Sequence, residues 1–375
     1  MVIPTPEKPD ANLPLTSEIL RRVPKVLLHE HLDGGLRPAT VIDLANEAGV
    51  SLPATDEQGL AAWFHRGADR GSLPLYLEGF ATTISVMQSR DALERVACEA
   101  ILDAAAENIC YIELRFHPGY HTACGLTLED VMNAVLAGCE RGARETGVLW
   151  GLIVCAMRNM DATFSLEMAE LAVNYRDRGV IGIDLAGDEA GHPPKRHIDA
   201  FHFAQRANFN ITVHAGEAFG KESIWQAVQW CGAHRIGHAV RLLEDMVIDD
   251  NGKVLEMDTL AHYIRDKRIP LEICLHSNIQ TGACPSLAQH PFKTLWDHGF
   301  RVCLNTDNRL MSGTTMTREL ATAAQLAQLD LNDIEKLTIN AAKSAFIHYD
   351  ARCRLIFDTI KPAFRQLYDQ ASPNA

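Results

Sequence analysis

Ten cysteines are scattered through 375 residues, and no two of them form a C-x-x-C pair. The chain therefore lacks the spacing of a thiolate zinc site. Its dispersed thiols, from Cys98 to Cys353, point to a reduced intracellular protein and not to a disulfide framework. No run of 18 apolar residues occurs, which excludes a bilayer-spanning helix. The opening stretch MVIPTPEKPDANLPLT has neither the basic nor the apolar region of a secretory signal, so the expected compartment is the cytoplasm. Positive charge is in short supply: Lys+Arg 35 against Asp+Glu 48 leaves a net charge of −13. That balance argues against a nucleic-acid or anionic-membrane partner, both of which need concentrated basic residues. A small neutral substrate fits better. Neither G-x-G-x-x-G nor G-x-x-x-x-G-K-[ST] follows any apolar run, so a phosphate-binding loop is not expected.

What the chain does have is an alternation of short apolar runs and longer segments of helical period. The runs begin at Lys25 (KVLLHEHLD), Ile109 (ICYIELRFHP), Val148 (VLWGLIVCAM) and Val180 (VIGIDLAGD). They continue from Phe209 (FNITVHAGE), Arg235 (RIGHAV), Ile269 (IPLEICLHSN) and Arg301 (RVCLNTDN). Near-continuous hydrophobicity is what strands buried on both faces of a parallel sheet require. Leu93, Val96, Ala97, Ala100, Ile101 and Ala104 mark one buried helical face, and Thr127 with Asp130 forms a capping box for the next helix, running to about Thr146. Eight strands alternating with helices predict an α/β fold of the (β/α)₈ barrel type, with a doubly wound open sheet as the competitor. The stretch from Arg37 to Asn108 is too long for one crossover. It predicts extra helices between strands one and two, with SLPLYLEGFATTI covering the C-terminal mouth of the barrel. Residues 1–375 read as one domain, the first sixteen as a flexible extension.

In such a barrel the C-terminal strand ends form the active-site face. Ligand-type residues collect there: His29, His31 and Asp33 on strand one, Asp184 and Gly187 on strand four, His214 and Glu217 on strand five, His238 on strand six, and Asp307 and Asn308 on strand eight. His29 and His31, at i and i+2, project from the same face and can share one ion. A lone histidine at a strand end is more often a hydrogen-bonded core residue, but a third imidazole, His214, stands at another strand end. Asp307 would supply a carboxylate from the neighbouring strand eight. Three imidazoles and one carboxylate suit Zn²⁺ and leave a place for a water. Beside such a water Glu217 becomes the candidate proton shuttle, although alone it would read as a charge at a helix N-terminus. His238 could orient the water, and Glu272, inward-facing on strand seven, could hold the His238 ring. His117 and His276 lie at strand ends and could line the pocket. His65, His192, His197, His202, His290 and His298 read as ordinary loop or helix residues. Tyr76, Leu77 and Phe80 form an apolar helix face that suits either core packing or a substrate lid.

HEHLDGGLRP, GIDLAGDE, TVHAGE, RIGHAV and LNTDN, in this order, resemble the adenosine deaminase family of metal-dependent amidohydrolases, over nearly the whole chain from Lys25 to the C-terminal helices. The resemblance implies one Zn²⁺ per chain, held by His29, His31, His214 and Asp307, and hydrolysis of adenosine to inosine and ammonia. It implies that Glu217 donates a proton to purine N1, that His238 and Asp307 position the attacking hydroxide, and that the Gly187 amide meets purine N3. It further implies Asp33 on the ribose 5′-hydroxyl and Tyr76, Leu77 and Phe80 as a hydrophobic gate, with His31 also facing the substrate. Where many relatives carry a second Asp facing purine N7, this chain has Asn308, whose NH₂ donates at every pH; the alternative is that Asn308 merely caps the following turn. Three rivals stand beside this expectation: a deaminase of adenine or of a 5′-modified adenosine, a binuclear amidohydrolase, and a catalytically silent purine-binding barrel. Strand four offers no lysine to bridge a second metal, and a pure binder has no need of Glu217.

Overall fold

The computed structural model describes residues 14–249 and 252–371. Of the expected flexible extension, positions 1–13 lie outside the described residues. Each of the eight apolar runs contains a strand. In chain order these are β1 (Lys25–His31), β2 (Ile109–Phe116), β3 (Leu149–Met157), β4 (Val180–Ala186), β5 (Asn210–Ala215), β6 (Arg235–His238), β7 (Leu271–Ile273) and β8 (Val302–Leu304). They pair in parallel, each with its neighbour in sequence. Closure falls beyond the end of β8. There the His31 amide donates to the Asp307 carbonyl at 2.7 Å, and the Asp307 amide donates to the His29 carbonyl at 2.9 Å. The ring is shut by the backbone of a residue whose side chain belongs to the site.

The last two strands are shorter than their apolar runs. β6 meets β7 only at Ile236–Leu271 and Gly237–Glu272, and past Ile273 the chain coils into a helix, Leu275–Gln280. His276 therefore lies on that helix and not at a strand end. A small antiparallel hairpin, Met246–Ile248 with Val254–Met257, is inserted between β6 and β7.

The helical expectations match the observed elements. All six residues of the predicted face from Leu93 to Ala104 are buried in the helix Arg90–Ala106. Thr127 and Asp130 form both hydrogen bonds of a capping box at the head of the helix Leu128–Thr146. These two helices pack closely because Gly138 and Gly142 face the first. A Cβ at Gly138 would stand 2.2 Å from the Glu94 carbonyl oxygen, so any side chain there would push the pair apart. Between β1 and β2 the chain builds five helices, among them Leu73–Leu77 and Phe80–Val86, which lie over the barrel mouth. No helix among the described residues is long and apolar enough to cross a membrane.

Candidate active site

The barrel floor sets the geometry of the site. Arg115 projects inward from β2 and Arg235 opens β6; both are buried. Arg115 donates from Nη1 to Asp184 Oδ2 and from Nη2 to Glu272 Oε2, each at 3.0 Å. Arg235 donates from Nε to Glu272 Oε1 at 2.6 Å, and Thr212 donates to the same oxygen at 3.1 Å. Burial opposes ionisation of Glu272, but Arg115 and Arg235 outweigh it and hold the carboxyl well below its usual range.

These two carboxylates orient two imidazoles. His29 Nδ1 lies 2.9 Å from Glu272 Oε2, and His214 Nδ1 lies 3.0 Å from Asp184 Oδ2. An Nδ1–H given to a carboxylate leaves the Nε2 lone pair free for a metal. Both Nε2 atoms point to one spot, joined there by His31 and Asp307. His31 Nε2 is 3.2 Å from His214 Nε2, and Asp307 Oδ1 is 3.2 Å from His29 Nε2 and 3.4 Å from His31 Nε2. One ligand atom from each of the four residues falls within 4.8 Å of all the others. His29 Nε2 and Asp307 Oδ1 are buried without a hydrogen-bond partner. Burial pushes the His31 and His214 imidazoles below their ordinary pKa, which favours neutral rings able to offer Nε2 as a ligand. Four ligand atoms converging at these distances, two of them buried without a partner, fit a divalent ion.

Asp307 reaches the cluster from a left-handed backbone (φ 61) and receives Ser277 Oγ–H on Oδ2 at 2.5 Å. His238 and Ala239 are left-handed as well, with φ 66 and 53. Three strained non-glycine residues at the strand ends mark the place where the fold sacrifices backbone comfort for side-chain position. The expectation that Glu272 holds His238 is corrected: both Glu272 oxygens are already taken. Asn278 holds the His238 ring instead, at 2.9 Å from Nδ1.

Glu217 is buried, with Oε2 3.6 Å from His238 Nε2 and Oε1 without a partner. Burial, together with the charges of Asp307 and Glu189, pushes its carboxyl well above the usual range and so favours the protonated form. Its loop is fixed by one side chain that sequence reasoning missed. Glu189 accepts the backbone amides of Gly216, Glu217, Ala218 and Phe219 at 2.6 to 3.0 Å.

These groups face a cavity of about 330 Å³. Its wall includes His31, Asp33, Tyr76, Leu77, Phe80, Gly187, His214, Glu217, His238, Asp307 and Asn308. Of the predicted site residues, His29, Asp184 and Glu272 lie behind the wall. Tyr76 is anchored by a 2.8 Å hydrogen bond between its hydroxyl and Ser312 Oγ. Asp33 is buried with Oδ1 unpartnered, and burial raises its carboxyl to about 7. Asn308 occupies the N-cap position of the turn Arg309–Ser312 but makes no capping hydrogen bond, and its Oδ1 is buried and unpartnered. That observation removes the turn-capping alternative. Gly187 has φ 97, a conformation that favours glycine. His117 lines the cavity, whereas His276 turns away to Glu319.

A closed parallel barrel that converges three imidazoles and a carboxylate on a buried cavity has the architecture of a metal-dependent hydrolase. Residues 24–362 match the family model described as adenosine deaminase. Adenosine deaminase 1 of Streptomyces coelicolor is 52% identical over 354 residues, 93% of this chain and 89% of that protein. The adenosine deaminase of Mycobacteroides abscessus is 51% identical over 363 residues, 95% of this chain and 99% of its own length. Among solved structures, adenine deaminase from Arthrobacter aurescens superposes with a TM-score of 0.80 at 23% identity, covering 92% of this chain and 99% of that one, which shows the shared fold. The chain belongs to the adenosine deaminase family.

Proposed function

We propose that this chain is a single-domain cytoplasmic enzyme of purine salvage. It hydrolyses adenosine to inosine and ammonia, and 2′-deoxyadenosine in the same way, with one Zn²⁺ per chain. The observation that carries this reading is the placement of Glu217, buried with Oε1 unpartnered and its carboxyl shifted toward the protonated form, in the same cavity wall as His31, His214 and Asp307.

His29, His31, His214 and Asp307 would hold the ion, which when bound supplies Lewis-acid activation of water. Every other part belongs to the chain's own residues. Glu217 Oε1 offers its proton to purine N1, which draws electrons from C6 and opens it to water. His238 presents Nε2 toward the cavity, where it orients the attacking water. The Gly187 amide meets N3, and the Asn308 NH₂ meets N7. Asp33 accepts from the 5′-hydroxyl, and Tyr76, Leu77 and Phe80 close an apolar wall that excludes bulk water. Addition of water at C6 and loss of the amino group as ammonia balance as adenosine + H₂O giving inosine + NH₃. The relatives named adenosine deaminase at about 50% identity support this choice of substrate.

A deamination assay over purine bases, nucleosides and nucleotides tests the proposal. Adenosine and 2′-deoxyadenosine should be turned over fastest. Preference for adenine, for a 5′-substituted nucleoside or for no purine at all would overturn it.

A further inference from the structure

The opposite end of the barrel holds a second concavity, of about 1220 Å³, built around the strand starts. Six cations stand on its wall: Arg176, Lys267, Arg268, Arg301, Lys343 and Arg352. None of them makes an ion pair with a carboxylate among the described residues; their contacts are backbone carbonyls and aromatic rings. Asp177 is the acidic side chain on the wall, and Arg235 is already neutralised by Glu113 and Glu272. In a chain of net charge −13, six uncompensated cations around one hollow run against the overall balance.

Helix C-termini gather at this end, and the macrodipole favours cations there. That explains Lys267 at the C-cap of the helix Thr259–Asp266 and Lys343 in the last turn of Leu331–Ser344, each taken alone. It extends to Arg352, in the last turn of Tyr349–Arg354, but not to Arg301, which precedes β8 and belongs to no helix. Arg301 and Arg352 each bury an Nε with no hydrogen-bond partner. Burial and the neighbouring Arg268 and Arg352 push the Arg301 guanidinium below its ordinary pKa, as expected where like charges crowd without a counterion. Aromatic rings of Trp150, Phe209, Tyr263, Phe346 and Tyr349 share the same wall.

We propose that this concavity is a second binding site, for a small polyphosphate-bearing anion of the nucleoside triphosphate class. Several cations without partners match a phosphate chain, which carries several charges in a short length. The aromatic rings offer a surface on which a base can stack. A ligand here enters at the end of the barrel away from the catalytic cavity and does not compete with the nucleoside.

Calorimetric titration of the full-length, metal-loaded protein at about 0.15 M salt tests the proposal. GTP and inorganic triphosphate are the probes, because neither carries a 6-amino group to be hydrolysed. Both should bind with Kd below about 1 mM. The variant R268Q/R301Q/K343Q should bind each at least about tenfold more weakly while deaminating adenosine as the parent does. Tighter binding of GTP would assign the ligand as a nucleotide, and equal binding as a phosphate chain alone; both outcomes support the site. Should the triple variant fail to fold, K267Q and K343Q, at exposed positions, should each weaken binding about threefold. Absence of binding by both probes, displacement by adenosine, or unchanged affinity in the variants would overturn it.

Discussion

The side-chain amide of Asn278 donates from Nδ2 to Nδ1 of His238 at 2.9 Å, and the direction of that bond is set two residues away. The Phe292 amide donates to His290 Nδ1 at 3.1 Å, so His290 carries its hydrogen on Nε2. That nitrogen lies 3.2 Å from Asn278 Oδ1, which turns the Asn278 NH₂ toward His238. The chain of bonds assigns neutral His238 the tautomer with Nε2–H, the nitrogen that faces Glu217. His238 is thus a hydrogen-bond donor toward the cavity. Asn278→Asp replaces the donor with an acceptor and favours hydrogen on Nδ1. It should lower kcat by about 10- to 100-fold with little change in metal content. Nitrogen-15 NMR of the His238 ring should report the tautomer change, and unchanged kcat in this variant would refute the relay.

Glu217→Gln keeps the shape of the side chain and removes its proton. The variant should retain its metal and lose about 10²–10⁴-fold in deamination. His214→Ala should lose metal and activity together, because a ligand is gone. In the unmodified enzyme the raised pKa of Glu217 favours the protonated form that the proposed mechanism uses, so kcat/KM should fall as pH rises through that pKa. If Glu217→Gln turned adenosine over at the parent rate, the residue would be structural.

Asp33 predicts which purine is preferred. Asp33 is a buried carboxyl with an unpartnered oxygen in the cavity wall, and on the proposed reading it accepts the ribose 5′-hydroxyl. Adenosine should be strongly preferred to adenine, and 5′-deoxyadenosine should lose about 1–3 kcal/mol in kcat/KM. Equal handling of adenosine and its 5′-deoxy analogue would show that Asp33 touches no substrate.

Asn308 predicts a second discrimination. Asn308 makes no capping hydrogen bond and lines the cavity, and on the proposed reading its NH₂ meets purine N7. 7-Deazaadenosine leaves that donor unpaired, so kcat/KM should fall by roughly 5- to 150-fold relative to adenosine. In Asn308→Ala the preference should largely vanish; its survival would place the discrimination elsewhere.

Strand identity and the residues that cluster as a possible metal site were readable in the sequence because they rest on local pattern: continuous apolar runs and i and i+2 imidazoles at strand ends. The supports of the site were not. Glu189 lies on a loop twenty-eight residues before the Glu217 amide it holds, and nothing local marks it as a clamp. His290 passed for an ordinary loop histidine because its role depends on Asn278, which lies on a helix where the apolar run suggested a strand end. Glu272 was assigned to the wrong ring. Alternation places it inside the barrel but cannot count the arginines that already occupy its oxygens. One signal was available for the floor: Arg115 interrupts the apolar strand IELRF, and a charge inside a buried strand requires a partner.

Titration of the metal-stripped protein with Zn²⁺, followed by the ultraviolet change from adenosine to inosine, tests the central claim most directly. Activity should be absent without metal, rise in proportion to added zinc and saturate at about one equivalent per chain. Full turnover by the metal-free protein, or saturation only at about two equivalents, would contradict a single-ion site built from His29, His31, His214 and Asp307.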